Sequence, residues 1–171
     1  MPQQTNDAPL LITSLAYMRV KSAAQGVFKS DQSRAGVGYT LCLAVRFRGE
    51  VPHDVRGGNA YKVTQHEPIT VIRRWSASTS QFLIAMWNNE VLTEVFFEFI
   101  QHDPGGKEVV FATMTLTKVT VVSVELRSGN THELVESDHG ALDVLGFHAE
   151  GIEFTFMEDG GGATAKYSQG G

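Results

Sequence analysis

The chain has 171 residues, of which 42% are hydrophobic and 19% charged, and its formal net charge is −5. That length suits one domain with a core of ordinary size, and the composition is that of a globular chain rather than a disordered one. The acidic balance argues against a duplex nucleic-acid binder or a binder of anionic membranes, both of which carry basic patches; no cationic cluster here is larger than Arg73-Arg74.

Residues 1–9 are polar and proline-bearing, and residues 1–14 are expected to form a flexible arm. They lack a basic leader, and Leu10-Leu11-Ile12 is too short for the core of a cleavable signal. No apolar run reaches the ~18 residues of a membrane-spanning helix. The protein is therefore expected to be made in the cytoplasm and, if exported, to leave without a cleavable signal. The single cysteine, Cys42, lies in the apolar run YTLCLAV and reads as a buried core thiol.

A first strand is expected over residues 15–20, resuming at Gly26-Val27-Phe28, with a polar loop over 29–38. Residues 39–47 alternate strongly and predict a strand with Leu41, Leu43, Val45 and Phe47 on its buried face. Residues 48–60 hold Gly49, Pro52, Gly57 and Gly58, a long loop of the kind that carries function in compact domains. Strand resumes over 63–74, broken at Pro68, which cannot donate to a ladder. One helix follows. Ser78 and Gln81 have capping-box spacing, Phe82/Met86 and Leu83/Trp87 are i,i+4 pairs, and Asn88-Asn89 is a stop. Its apolar circumference predicts burial on nearly all sides.

Residues 91–101 predict a strand with Val91, Val95, Phe97 and Phe99 opposite Glu94 and Glu98, closed by the turn His102-Asp103-Pro104-Gly105-Gly106. Residues 108–127 predict a long strand. In it Val110, Ala112, Met114 and Leu116 oppose Thr113, Thr115 and Thr117, and the phase is lost after Lys118, as at a bulge that re-aims a barrel strand. A polar loop over 128–140 precedes a last strand over 142–156, where Ile152, Phe154 and Phe156 alternate with Glu153 and Thr155. The Gly-rich residues 158–171 are expected to be disordered. The whole reads as one mainly β domain over 15–157, a barrel or sandwich with one helix at its side.

Catalytic patterns are absent from this sequence. The histidine–acid neighbours His53-Asp54, His66-Glu67, His102-Asp103, His132-Glu133 and Asp138-His139 do not build a site by adjacency, since neighbours on a strand face opposite ways. Zinc-ligand spacing, a nucleophile elbow and a phosphate loop are all missing. Neither a metal nor a cofactor is expected, and the reading is non-enzymatic.

The segment VPHDVRGGNAYKVTQHEPITVIRRWSASTSQFLIAMW resembles the central region of the haemolysin-coregulated protein (Hcp) family, the tube component of bacterial type VI secretion. The likeness continues through residues 91–101 and 105–124, where Leu116-Thr117-Lys118-Val119-Thr120-Val121-Val122-Ser123-Val124 is similar to a recurring family run. It ends at Ile152-Glu153-Phe154-Thr155-Phe156 and covers about residues 16–157. The arm before Leu15 is longer than usual, the helix lacks a proline after its serine, and residues 128–140 match poorly.

The resemblance implies a two-sheet, antiparallel-rich β-barrel that closes as a homo-hexameric ring. It also implies rings stacked into a tube, a contractile sheath and spike as partners, effector cargo in the lumen, and no nucleic acid or membrane. The loop residues Val51, Pro52, His53, Asp54, Val55, Arg56, Gly57, Gly58 and Asn59 are then expected to reach a neighbouring subunit. A phage-type tail tube and a monomeric ligand-binding barrel are the alternatives.

Overall fold

The computed structural model describes residues 15–30, 38–51, 65–128, 140–157 and 162–168. In chain order these form β1 (Leu15–Ser22), β2 (Gly26–Val27), β3 (Tyr39–Cys42), β4 (Ala44–Arg46), β5 (Gly49–Glu50), β6 (Gln65–His66), β7 (Ile69–Arg74), the helix α1 (Thr79–Trp87), β8 (Val91–His102), β9 (Glu108–Arg127), β10 (Leu142–Phe156) and β11 (Ala163–Ser168). One antiparallel sheet runs β2-β1-β8-β9-β10-β7-β4, with β3 on β1 and β11 on β10; β5 and β6 pair separately. The mainly β class with one helix is as the sequence implies.

Among the described residues no single continuous strand closes the sheet into a barrel. The stretch expected as one strand over residues 39–47 breaks at Leu43: β3 pairs with β1 and β4 with β7, near the two ends of the sheet. The Leu43 amide donates to the Ile72 carbonyl at 2.7 Å across this seam. Pairing with β1 also decides the phase. Cys42 and Thr40 lie opposite the buried Ala16 and Met18, so they point inward. Leu43 and Phe47 are exposed, and of the four side chains expected inside only Val45 packs against the core.

The core is built from alternate residues of the long strands: Met18 and Val20, Val95 and Phe97, Met114 and Leu116, Leu145 and Phe147. Ile69 and Val71 of β7 and Phe82 and Ala85 of α1 complete it. Burying one such large side chain is worth about 1.5–3 kcal/mol.

The phase change anticipated at Lys118 is present, and it crosses three strands. Lys118 has φ 49°, a left-handed conformation rare for a residue with a Cβ. The ladder passes from Leu92–Val119–Ala149 to Glu94–Thr117–Gly151 without pairing the rung between. On one side Leu92, Val119 and Ala149 are buried; on the other Val95, Leu116 and Ile152 are. Each strand therefore shifts its inward phase at Thr93, Lys118 and Glu150, the line along which the sheet bends. The Lys118 ammonium meets the Glu150 carboxylate at 3.1 Å along it. This shift also turns Val91, expected inside, outward, and puts Leu92 in the core.

Three further expectations are corrected. Ser78 sits at the N-cap position, yet its backbone is already helical and its side chain caps nothing. Its hydroxyl accepts from Arg73, while Gln81 accepts from the Lys29 amide at 2.8 Å, so the capping-box residues serve tertiary contacts instead. The helix is buried on one face only, through Thr79, Phe82 and Ala85, and exposes Ile84 and Trp87. Finally, the tail expected to be disordered contains β11, which runs along Gly151 to Phe156 of β10. Strand β7 covers that edge only from Leu142 to Phe147, and β11 satisfies the backbone groups left beyond it. The six residues of β11 contain no glycine. The Asn88-Asn89 stop holds: Asn89 takes φ 49°, and both amides donate to helix carbonyls.

Cys42 is buried, and burial pushes its thiol from 9.0 up to about 12. The nearby Arg73 charge lowers it and the Asp143 charge raises it by lesser amounts. The unfolded chain loses this proton from about pH 9, while the folded chain keeps it to about 12. Its contribution to stability is thus full below about pH 9 and is lost progressively as pH rises toward 12. At pH 8 the native thiol should react with a disulfide reagent no faster than the protein unfolds; rapid native-state labelling would contradict the burial.

Candidate functional site

Of the nine loop residues expected to meet a neighbour, Val51 is described, and it is 46% exposed. Pro52, His53, Asp54, Val55, Arg56, Gly57, Gly58 and Asn59 lie outside the described residues. What the structure shows is the loop's footing. Gly49 pairs with His66 and Glu50 with Gln65, so the chain leaves and returns side by side. The Glu67 amide donates to the Arg48 carbonyl at 2.9 Å. Arg48 meets Glu67 at 3.1 Å and Glu50 at 3.5 Å, and Arg46 meets Glu67 at 3.5 Å. Exposed pairs of this kind contribute about 0–1 kcal/mol each, so they orient the footing more than they stabilise it.

His66 ties that footing to the main sheet. Its ring stacks on His148 of β10 at 4.8 Å and meets Tyr167 of β11 edge-on at 5.9 Å. Its ring nitrogens lie 2.9 Å from the Glu67 carbonyl and 3.0 Å from that of Ala149. A cavity of about 280 Å³, lined by Phe47, Gly49, Glu50, Val51, His66 and Tyr167, opens beside it. The lining is mostly apolar.

At the other end of β7 lies an ion pair sealed from solvent. Arg73 and Asp143 are direct cross-strand partners and are both fully buried. Arg73 Nε and Nη2 donate to Asp143 Oδ1 and Oδ2 at 2.8 and 2.7 Å. Nη1 donates to Ser76 Oγ at 3.1 Å and Ser78 Oγ at 2.6 Å, and Nη2 also donates to Thr79 Oγ1 at 3.2 Å. The Thr79 hydroxyl donates on to Asp143 Oδ2 at 2.6 Å and accepts from the Ser76 amide at 3.0 Å. The guanidinium carbon lies 4.6 Å from the centre of the Phe82 ring. Every N–H of the guanidinium has an acceptor, which is the condition under which a buried charge is tolerable. The group fastens the helix start to β7 and β10. With both charges fully buried, it is a structural knot.

The other sequence candidates resolve into ordinary contacts. Asp103 of the His102-Asp103 pair accepts from the Gly105 and Lys107 amides at 2.9 and 2.8 Å and closes its turn. His53, His132 and His139 lie outside the described residues. Among the described residues no group of three or more His, Cys, Asp or Glu could hold a metal, and no helix is long and apolar enough to cross a membrane. On the polar face of β8, Glu94 meets Arg19 at 3.4 Å and Lys21 at 3.3 Å, and Glu98 accepts from the Tyr39 hydroxyl at 3.2 Å. Apolar surface remains on α1, where Trp87 is 71% exposed beside Ile84, and at Trp75, whose indole donates to the Leu142 carbonyl at 2.7 Å.

The Arg73 network was missed in the sequence because its members look separately unremarkable. A signal was present: Arg73 shares the inward phase of Ile69 and Val71, and Asp143 is the one charge in the run Leu142-Asp143-Val144-Leu145. Two opposite charges on core phases of strands are a candidate buried pair.

A family model described as "Type VI secretion system effector, Hcp" matches residues 17–164. No curated protein matches by sequence. Among solved structures, one described as a crystal structure of an Hcp protein superposes with a TM-score of 0.80 at 17% identity, covering 92% of this chain and 100% of that one. Hcp1 from E. coli EAEC 042 gives 0.76 at 18% identity, covering 90% and 97%. The secreted protein Hcp3 from Pseudomonas aeruginosa gives 0.67 at 16% identity, covering 91% and 99%. At these identities the structures establish a shared fold, and the family model, spanning most of the chain, establishes kinship. The chain belongs to the Hcp family of type VI secretion proteins.

Proposed function

We propose that this chain is a structural, non-enzymatic subunit of a type VI secretion tube. Six copies close head to tail into a ring, rings stack into a hollow tube, and a sheath drives the tube outward behind a spike, with effectors able to ride in the lumen. The protein is made in the cytoplasm and leaves through its own machine. The observation that carries this reading is the family match across residues 17–164. Apolar side chains exposed on separate faces support it: Phe47 and Val51 at the loop footing, Ile84 and Trp87 on the helix, Val122 and Leu126 on β9. A subunit in a stacked ring needs distinct patches for its two ring neighbours and for the rings above and below.

The monomeric ligand-binding barrel is disfavoured, because the space such a barrel would leave open is filled by Met18, Phe82, Phe97, Leu116, Leu145 and Phe147. Light scattering across a wide concentration range, with negative-stain imaging, tests the proposal. The expected result is a species of six subunit masses and ring-shaped particles; a strict monomer at every concentration overturns it. Neighbouring genes for a sheath and an AAA+ ATPase, rather than for a capsid, separate secretion from a phage tail tube.

A further inference from the structure

One edge of β10 carries a gap that a side chain fills. Strand β7 pairs with β10 as far as Phe147, and β11 takes over at Gly151. Between them lies Ala149, and the ring of His66 reaches its carbonyl through Nε2 at 3.0 Å. The other ring nitrogen, Nδ1, faces the Glu67 carbonyl at 2.9 Å. A carbonyl oxygen can only accept, and a neutral imidazole carries one N–H. The neutral ring therefore satisfies one of the two carbonyls and turns a lone pair on the other. The imidazolium donates to both.

We propose that His66 is a proton-operated latch: its imidazolium clamps β6 to β10 in the gap between β7 and β11, and the neutral ring lets go of one side. The surroundings suit a single charge there. On β10 the His148 ring stacks on His66 at 4.8 Å and 16°, so a proton on each ring would bring two like charges together. On β11 Tyr167 meets the His66 ring edge-on, and the Lys166 ammonium lies 2.9 Å from the Glu153 carboxylate. In the loop footing the Glu50 and Glu67 carboxylates pair with Arg48, and Glu67 also with Arg46. Next along β10, Glu150 meets Lys118. These side-chain charges are paired with one another, and the two backbone carbonyls are the groups that read the proton on His66. Because the clamp needs both N–H groups, it is present at the acid end of the histidine range and is lost as pH rises through it. It lies within one chain and stands apart from ring formation.

The test is hydrogen exchange of the Glu67 amide in the full chain, which donates to the Arg48 carbonyl at 2.9 Å beside the latch. Each rate is divided by that of an unstructured peptide at the same pH, which removes the base catalysis of exchange itself. Protection should fall roughly ten-fold between about pH 5 and pH 8, the scale of one hydrogen bond to a charged group, while amides of the β8–β9 ladder keep theirs. His66→Gln keeps a donor for the Ala149 carbonyl but cannot titrate, and its protection should not vary with pH. His148→Phe keeps a stacked ring and should retain the wild-type dependence. Flat protection in the wild type overturns the proposal. So does a fall that persists in His66→Gln, or one that vanishes in His148→Phe, since either assigns the proton to another group. Nitrogen chemical shifts of the His66 ring give a readout that needs no variant: two protonated nitrogens are expected at the acid end, and one alone there overturns the proposal.

Discussion

Replacing Asp143 with alanine should destabilise the protein by about 3–5 kcal/mol in urea unfolding, enough to leave many domains of this size unfolded at growth temperature. The substitution strands the Arg73 guanidinium, fully buried among Ser76, Ser78, Thr79 and the Phe82 ring, without its counter-charge. Arg73→Ala should cost a similar amount by stranding the carboxylate. The informative variant is the double replacement Arg73→Met with Asp143→Leu. It leaves no charge in the interior, and its cost should fall to about 1–3 kcal/mol, the penalty for the hydroxyls that lose their partner. A double variant as unstable as either single one would mean that packing, rather than the uncompensated charge, governs the site. Because Arg73 and Asp143 are directly opposed in the β7–β10 ladder, a one-residue slip would separate them. The pair therefore specifies register as well as stability.

Replacing residues 51–64 by a two-residue Asn-Gly turn should leave the fold intact and abolish ring stacking. The footing makes the graft feasible, since Glu50 already pairs with Gln65 and the chain needs only to turn back. Shortening the connection lowers the closure-entropy cost by roughly 2 kcal/mol, so the fold should be no less stable. Tubes, or stacked rings seen by electron microscopy at high concentration, should then disappear while single rings persist. Stacking at the wild-type level would remove this loop, and Val51 with it, from the inter-ring contact.

The long strands could be read from the sequence because their side chains alternate against one buried face. The phase change at Lys118 was visible because a register shift moves every following side chain to the other side. The boundaries of the helix were similarly legible. Where short-range signals competed with tertiary demand, they lost. Ser78 has the sequence of a cap and instead solvates Arg73; Leu43 and Phe47 have the pattern of core residues and lie outside, because β3 takes its phase from β1. The six residues of β11 lie in a Gly-rich tail whose overall composition concealed them, and an open edge on β10 recruits them.

By itself, then, the sequence determined the class of the fold, its long strands, the place of the helix α1, and the kinship that points to assembly. Those features follow from local periodicity and ordered motifs. The tertiary structure alone decided that the seam of the sheet runs through Leu43, that Arg73 and Asp143 meet inside it, and that the His66 ring meets the Ala149 carbonyl. Each of these depends on which strands lie opposite one another, and pairing between residues some 70 positions apart, as in Arg73 and Asp143, leaves no mark on either local sequence.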